Sequence, residues 1–162
     1  MGQANKLKYE MDKKLININV TADNWEEVLK NVSNMFIKQN CVKEGFYEAL
    51  VYREREFPTG IQIDDIGVAF PHVDTKYVKK TAISVITLQP SIEFKRMDDS
   101  NKSVDVSIVF GLAVSNPKKH LKILQKIINL IQQENKLMEI KDAKSVEEIS
   151  EILNAEFDSI DF

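Results

Sequence analysis

Cysteine, glycine and proline are all scarce in this chain: one Cys, five Gly and four Pro in 162 residues. The lone Cys41 can form no internal disulfide and leaves no cysteine cluster for zinc. It reads as small buried filler. No apolar run approaches the roughly 20 residues that span a bilayer. The opening stretch, MGQANKLKYEMDKK, holds no apolar core of a signal peptide. Direct membrane insertion is therefore not expected, and the expected compartment is the cytoplasm. Positive charge is not in excess either. With 22 Lys and Arg against 25 Asp and Glu, the net charge is −3, which argues against a nucleic-acid binder held by phosphate contacts. A P-loop, a GxGxxG turn and an HxxxH spacing are all missing, so no cofactor and no metal is expected. The pair Asp98-Asp99 reads as an exposed turn.

What is present suits one compact domain, with 43% apolar residues. Residues 1–13 are polar and aperiodic and are expected to form a mobile arm; 158–162 form a short tail. Residues 15–20 read as a β-branched strand. Trp25, Val28, Leu29, Val32, Met35 and Phe36 then recur at helical spacing, with Asp23 and Glu26, or Thr21, as the expected cap. A second helix is expected over 42–55, ended by Pro58-Thr59-Gly60. A polar loop containing Asp64-Asp65 leads to a strand at 66–70; further strands are expected at 82–88 and 104–114, with a short one at 92–94.

Asn116 and Pro117 suit the cap and first position of the strongest helix, whose main stripe reads as Leu121, Leu124, Ile128 and Ile131, widened by Ile123 and Ile127. A last helix begins near Ser145. This pattern predicts an α/β fold, a single domain with a mixed sheet flanked by helices on both faces.

The two histidines sit in different settings. His72 follows Ile66-Gly67-Val68-Ala69-Phe70-Pro71, at the point where a buried strand emerges, a common place for ligands in open α/β sheets. Pro71 restricts both itself and Phe70, so His72 is presented with few alternatives. An imidazole offers an unprotonated nitrogen near neutral pH. Pattern alone leaves His72 between a nucleophile and an exposed turn residue. His120 falls in the first turn of the strong helix, where the positive helix end disfavours imidazolium. The same helix start is a potential anion site, with Lys118 and Lys119 beside it. Taken alone, His120 reads rather as a helix-surface residue. Arg53, in Arg53-Glu54-Arg55-Glu56, has a guanidinium that can grip phosphate, although such runs usually face water.

The run Arg53-Glu54-Arg55-Glu56-Phe57-Pro58-Thr59-Gly60-Ile61, followed by Ile66-Gly67-Val68-Ala69-Phe70-Pro71-His72, resembles a known family. It is similar to the IIA component of the fructose/mannitol class of phosphoenolpyruvate-dependent phosphotransferase systems. The Glu-Phe-Pro-Thr-Gly form, and the strand Asp105 to Leu112 followed by Asn116-Pro117, look most like the galactitol-type branch. The likeness runs from about Trp25 to Leu153, and the resemblance makes 14–157 the phosphotransferase-system EIIA type-2 domain.

It implies phosphoryl transfer from HPr to the family's active-site histidine, matched by His72, then to a cysteine of a IIB component. Sugar, galactitol or a related polyol, would enter through the membrane component IIC, an indirect partner. His120 and Arg53 match positions that stabilise the transferred phosphoryl group. The alternative from the same resemblance is a regulatory module that binds partners according to its phosphorylation and transports nothing. For a carrier, an exposed apolar patch around Phe70 and Val73 is expected as the partner surface.

Overall fold

The computed structural model describes residues 9–158. The elements in chain order are β1 (Ile16–Val20), α1 (Trp25–Lys38), α2 (Phe46–Glu56), β2 (Ile61–Ile63), β3 (Ile66–Ala69), β4 (Ala82–Lys95), β5 (Ser103–Ala113), α3 (Pro117–Ile131), α4 (Glu134–Asp142) and α5 (Val146–Glu156). The sheet runs β1-β4-β5-β3-β2. Pairing is parallel for β1 with β4 and β3 with β5, and antiparallel for β4 with β5 and β2 with β3. The expected mixed sheet is therefore present. From Val106 to Ala113 every residue of β5 is buried, so both alternating faces of this central strand are covered. On one face α1 sits so close that a Cβ on Gly111 would lie 2.6 Å from Val32 Cγ1. On the sheet, α4 packs against β5 and α5 against β1.

Gly67 does what its place in the strand predicts. A Cβ there would overlap the Asp105 carbonyl, so only glycine lets β3 approach β5 this closely. That approach matters for the site, because β3 and β5 deliver the two histidines.

Several expectations need correction. The arm expected over 1–13 is packed from Tyr9 on: Met11 is buried, its N–H donates to Asn154 Oδ1 at 2.6 Å, and Tyr9 rests on the Phe157 ring. Tyr9 and Met11 supply apolar surface that the polar average of the segment conceals; residues 1–8 and 159–162 lie outside the described residues. The cap of α1 is Asn24, which accepts from Glu27 N–H, while Glu27 reaches back to Asp23 N–H. The second helix starts at Phe46, after Gly45 at φ 90°, a conformation that excludes a helical entry from Val42. Ile61–Ile63 forms a strand where a polar loop was expected, and 82–95 is a single strand. The helix α4 was not foreseen.

The stripe on α3 is turned from its expected setting. Ile123, Ile127, Leu130 and Ile131 face the core, while Leu121 and Ile128 are 62% and 43% exposed.

Candidate functional site

Two parallel neighbours, β3 and β5, end at the same edge of the sheet. Past Ala69 the chain continues beside β5: Leu112 N–H donates to the Pro71 carbonyl at 3.0 Å, and His72 bridges to Leu112. Past Ala113, β5 runs into the cap of α3, whose first turn carries His120. The strand ends thus bring residues 72 and 120 together, with ring centroids 4.9 Å apart and planes inclined at 55°. Arg53, on the last turn of α2, joins them. All three line one open cavity of about 190 Å³, with Val73, Asp74 and Thr75 on its rim. A water molecule occupies roughly 30 Å³ of liquid, so the cavity has room for a tetrahedral anion and some solvent. Arg53 is exposed, and its guanidinium lies 4.9 Å from the Phe57 ring centre.

The ring of His72 is held in one tautomer. Its Nδ1 lies 2.8 Å from the Phe70 carbonyl oxygen, which can only accept, so Nδ1 carries the proton and Nε2 the lone pair. Burial pushes its pKa down to about 4, and the nearby His120 and Arg53 push the same way, against the Phe70 bond. The ring is therefore neutral at physiological pH. His120 is also pushed below the usual histidine range, first by burial and then by Arg53, with Asp74 opposing. Both rings are uncharged in a cavity whose fixed positive charge is Arg53, which suits an incoming anion.

The anion site expected at the start of α3 is not formed. Pro117 has no N–H; those of Lys118 and Lys119 go to Asn116 Oδ1, and that of His120 goes to the Asn116 carbonyl. The exposed apolar patch expected around Phe70 and Val73 is corrected too: each is 5% exposed, because Phe70 closes the end of β3 and Val73 belongs to the core. Apolar surface near the site comes instead from Phe57, Met97, Leu124 and Ile128, along a groove of about 740 Å³ that also reaches His72. Among the described residues, no group of three or more His, Cys, Asp or Glu side chains is arranged to hold a metal ion.

Two residues of the quoted motif have contacts that sequence reasoning missed. Glu54 is 4% exposed, unlike its charged neighbours, and its carboxylate accepts from Thr59 N–H at 2.9 Å and from the Thr59 hydroxyl at 2.8 Å. The Thr59 hydroxyl oxygen in turn accepts from Phe70 N–H at 3.1 Å. The signal for Glu54 was its five-residue spacing to a threonine, which alone does not reveal burial.

The site and fold acquire their context from known proteins. The family model described as "Phosphoenolpyruvate-dependent sugar phosphotransferase system, EIIA 2" matches residues 11–156. The chain belongs to this EIIA family. The galactitol-specific EIIA component of Escherichia coli K12 is 36% identical over 107 residues, covering 66% of this chain and 71% of that one. The ascorbate-specific EIIA component of the same strain is 26% identical over 144 residues, covering 88% and 91%. Among solved structures, the complex of enzyme IIA-mannitol with phosphorylated IIB-mannitol from Escherichia coli aligns with a TM-score of 0.75 at 20% identity. That alignment covers 90% of this chain and 98% of the matched one, and establishes a shared fold. As an EIIA, the protein is a phosphotransfer component. No helix among its described residues is long and apolar enough to cross a membrane.

The buried carboxyl of this EIIA leaves a measurable trace. Burial raises Glu54 from the ordinary 4.5 to about 7, against the Thr59 bonds and Arg53, which lower it. A pKa raised on folding means that the folded state binds the extra proton. The stability it contributes is complete below 4.5 and is lost as pH rises through about 7. His72 has the opposite sign: its contribution is present above 6.5 and falls as pH drops through about 4. Glu54→Gln is therefore expected to gain on the wild type between about pH 5 and pH 8, by on the order of 2 kcal/mol. Urea unfolding of both proteins at the two pH values checks this; a pH-independent difference would contradict it.

Proposed function

We propose that this EIIA carries a phosphoryl group on His72 Nε2, taking it from phospho-HPr and giving it to a cysteine thiolate of a IIB component. The observation that carries the reading is the His72 ring itself: neutral, with Nδ1 bonded to the Phe70 carbonyl and Nε2 free beside Arg53 and His120. The Nε2 lone pair attacks phosphorus in line. The new N–P bond forms as the bond to the donor breaks, and that electron pair stays with HPr. Positive charge then develops on the His72 ring, and the Phe70 carbonyl stabilises it through the existing Nδ1–H bond. Arg53 and a donated N–H from neutral His120 offset charge on the equatorial oxygens. The phosphoramidate is reactive enough to pass its group to a thiolate. Cytoplasmic location follows from such a role, and sugar crosses the membrane through a IIC component that this chain does not replace.

Galactitol or a related polyol is the substrate class we assign to the pathway. The 36% identity to a galactitol-specific EIIA supports it over ascorbate, whose EIIA is 26% identical.

Partners would dock on the exposed apolar residues beside the cavity. Phe57, Met97 and Leu121 are 62%, 49% and 62% exposed, and Ile128 joins them on the outer side of α3. One surface can serve HPr and IIB in turn, since both must bring phosphorus to the same nitrogen. Leu121→Glu is expected to raise the KM for phospho-HPr about tenfold, the loss of roughly 1.4 kcal/mol of apolar contact, with kcat nearly unchanged. An unchanged KM would place docking elsewhere.

The direct test incubates the protein with phosphoenolpyruvate, enzyme I and HPr. The expected product is acid-labile, alkali-stable phosphate on this chain, discharged by a IIB protein. Absence of label would overturn the reading. Label that no IIB thiol accepts would favour the regulatory module that binds partners without transporting sugar.

A further inference from the structure

The register of the sheet leaves one backbone donor without a ladder partner at the place that matters most. Ile61 pairs with Val68 and Ile63 with Ile66 in the β2–β3 ribbon, so Thr59 stands opposite Phe70. The ladder does not continue that far. At Gly60 the chain turns to the β4–β5 hairpin, its N–H donating to the Lys95 carbonyl and its carbonyl accepting from Met97 N–H. Phe70 N–H is buried and would be orphaned there. The Thr59 hydroxyl takes its place in the ladder, at 3.1 Å.

A hydroxyl has one proton, and its direction decides what it can accept. Glu54 settles that direction. Its two oxygens lie 2.8 and 3.0 Å from Thr59 Oγ1 and can only accept when ionised, so the hydroxyl proton points to Glu54 and a lone pair faces Phe70. The chain of bonds therefore has one sense, from Phe70 N–H to Thr59 and from Thr59 to Glu54. Phe70 is gripped at both ends: its N–H by Thr59 and its carbonyl by His72 Nδ1–H.

We infer that Thr59 and Glu54 are positioning residues for the phosphoryl acceptor: the Thr59 hydroxyl, oriented by Glu54, fixes Phe70 so that its carbonyl captures His72 Nδ1–H and leaves Nε2 unprotonated. The role rests on the reading of His72 as the acceptor. An unconstrained histidine side chain favours the opposite tautomer, with the proton on Nε2, which blocks attack from that nitrogen. The carboxylate also accepts the buried Thr59 N–H at 2.9 Å. A buried charge costs several kcal/mol before its bonds offset it, and an apolar pair in the same space would leave the N–H groups of Thr59 and Phe70 without these acceptors. Burial disfavours the charge and raises the Glu54 carboxyl to about 7, so the one-way sense of the bonds belongs to the ionised form, above about pH 7.

The experiment is long-range 15N NMR of the imidazoles in the full chain, at about pH 8 so that Glu54 is ionised, combined with the rate of labelling by phospho-HPr. The wild type is expected to show the widely split shifts of a single Nδ1–H tautomer at His72. In Thr59→Val, which keeps the shape and loses the hydroxyl, the two shifts should move toward each other as the Nε2–H form becomes populated, and labelling should slow about tenfold. Thr59→Ser should restore both. Glu54→Gln, whose amide N–H can donate to the Thr59 hydroxyl and so removes the acceptor pair that fixes its direction, should shift the tautomer in the same direction and serves if Thr59→Val does not fold. Wild-type shifts at His72 in a folded Thr59→Val or Glu54→Gln protein would overturn the inference. So would slow labelling with an unchanged tautomer. A wild type that takes no label at all would overturn the carrier reading instead, and the tautomer shifts would still report on Thr59 and Glu54.

Discussion

His72→Gln is expected to lose phosphoryl uptake from phospho-HPr entirely, a drop on the order of 10⁴-fold or more, while folding normally. Glutamine approximates the size and polarity of the ring, but its amide nitrogen has no available lone pair. The Phe70 carbonyl would keep a donor in the amide N–H2, so the end of β3 need not move. Neither Arg53 nor His120, the other two members of the constellation, is expected to replace the nucleophile. Arg53 is permanently charged. His120 lies within 4.9 Å, centroid to centroid, but among the described residues its ring has no backbone acceptor bond like that of His72 to Phe70. Its tautomer is therefore not fixed with one nitrogen facing a donor in line. Quenched-flow labelling with radioactive phosphoenolpyruvate, HPr and enzyme I measures the effect. Substantial label in His72→Gln would show that the acceptor had been misassigned.

The second large effect is on rate and not on capacity. His120→Ala should slow transfer roughly 10²-fold, the usual cost of removing one preorganised donor to a developing oxyanion. Labelling should still go to completion given time, because His72 keeps its tautomer and Arg53 keeps its charge. Held neutral by burial and by Arg53, His120 would donate one N–H without adding a second cation to the site. That distinction predicts the behaviour of a second variant. His120→Gln retains a donor and should recover part of the lost rate; His120→Ala cannot. Rates measured under single-turnover conditions separate this from weaker docking, for which the exposed Leu121 and Phe57 on the neighbouring surface are proposed. Equal rates for the two variants would remove the donor role.

How far the chain could be read in advance depended on what each residue needed from the rest of the fold. The place of His72 at the end of β3 was legible because Pro71 and the strand before it are local, and a local constraint shows in sequence. Its Nδ1–Phe70 bond spans two residues and belongs to the same constraint. The cap Asn116 and the start of the last helix near Ser145 were legible for the same reason, since a cap acts within its own turn. Glu54 was not, because nothing in Arg53-Glu54-Arg55-Glu56 says which carboxylate turns inward; that is set by Thr59 and by where β3 ends.

The face of α3 was misjudged for a different physical reason. The helix is apolar on more than one side, with Ile123 and Ile127 toward the core and Leu121 and Ile128 toward solvent. Periodicity measures apolar spacing and cannot tell a sheet from a partner protein as the thing being faced. The three-residue strand Ile61–Ile63 is too short to show a period, and Asp64 at φ 51° makes the tight turn into β3 in place of the expected polar loop. In each of these cases the missing information was a long-range partner.

The central claim is that phosphate rides on one nitrogen of one residue, and it can be observed directly. A 15N-labelled sample phosphorylated through HPr and held at alkaline pH permits measurement of the one-bond coupling between phosphorus and imidazole nitrogen. The account predicts a single coupled nitrogen, Nε2 of His72, with Nδ1 of the same ring uncoupled. Phosphorus coupled to Nδ1, or to either nitrogen of His120, would contradict it.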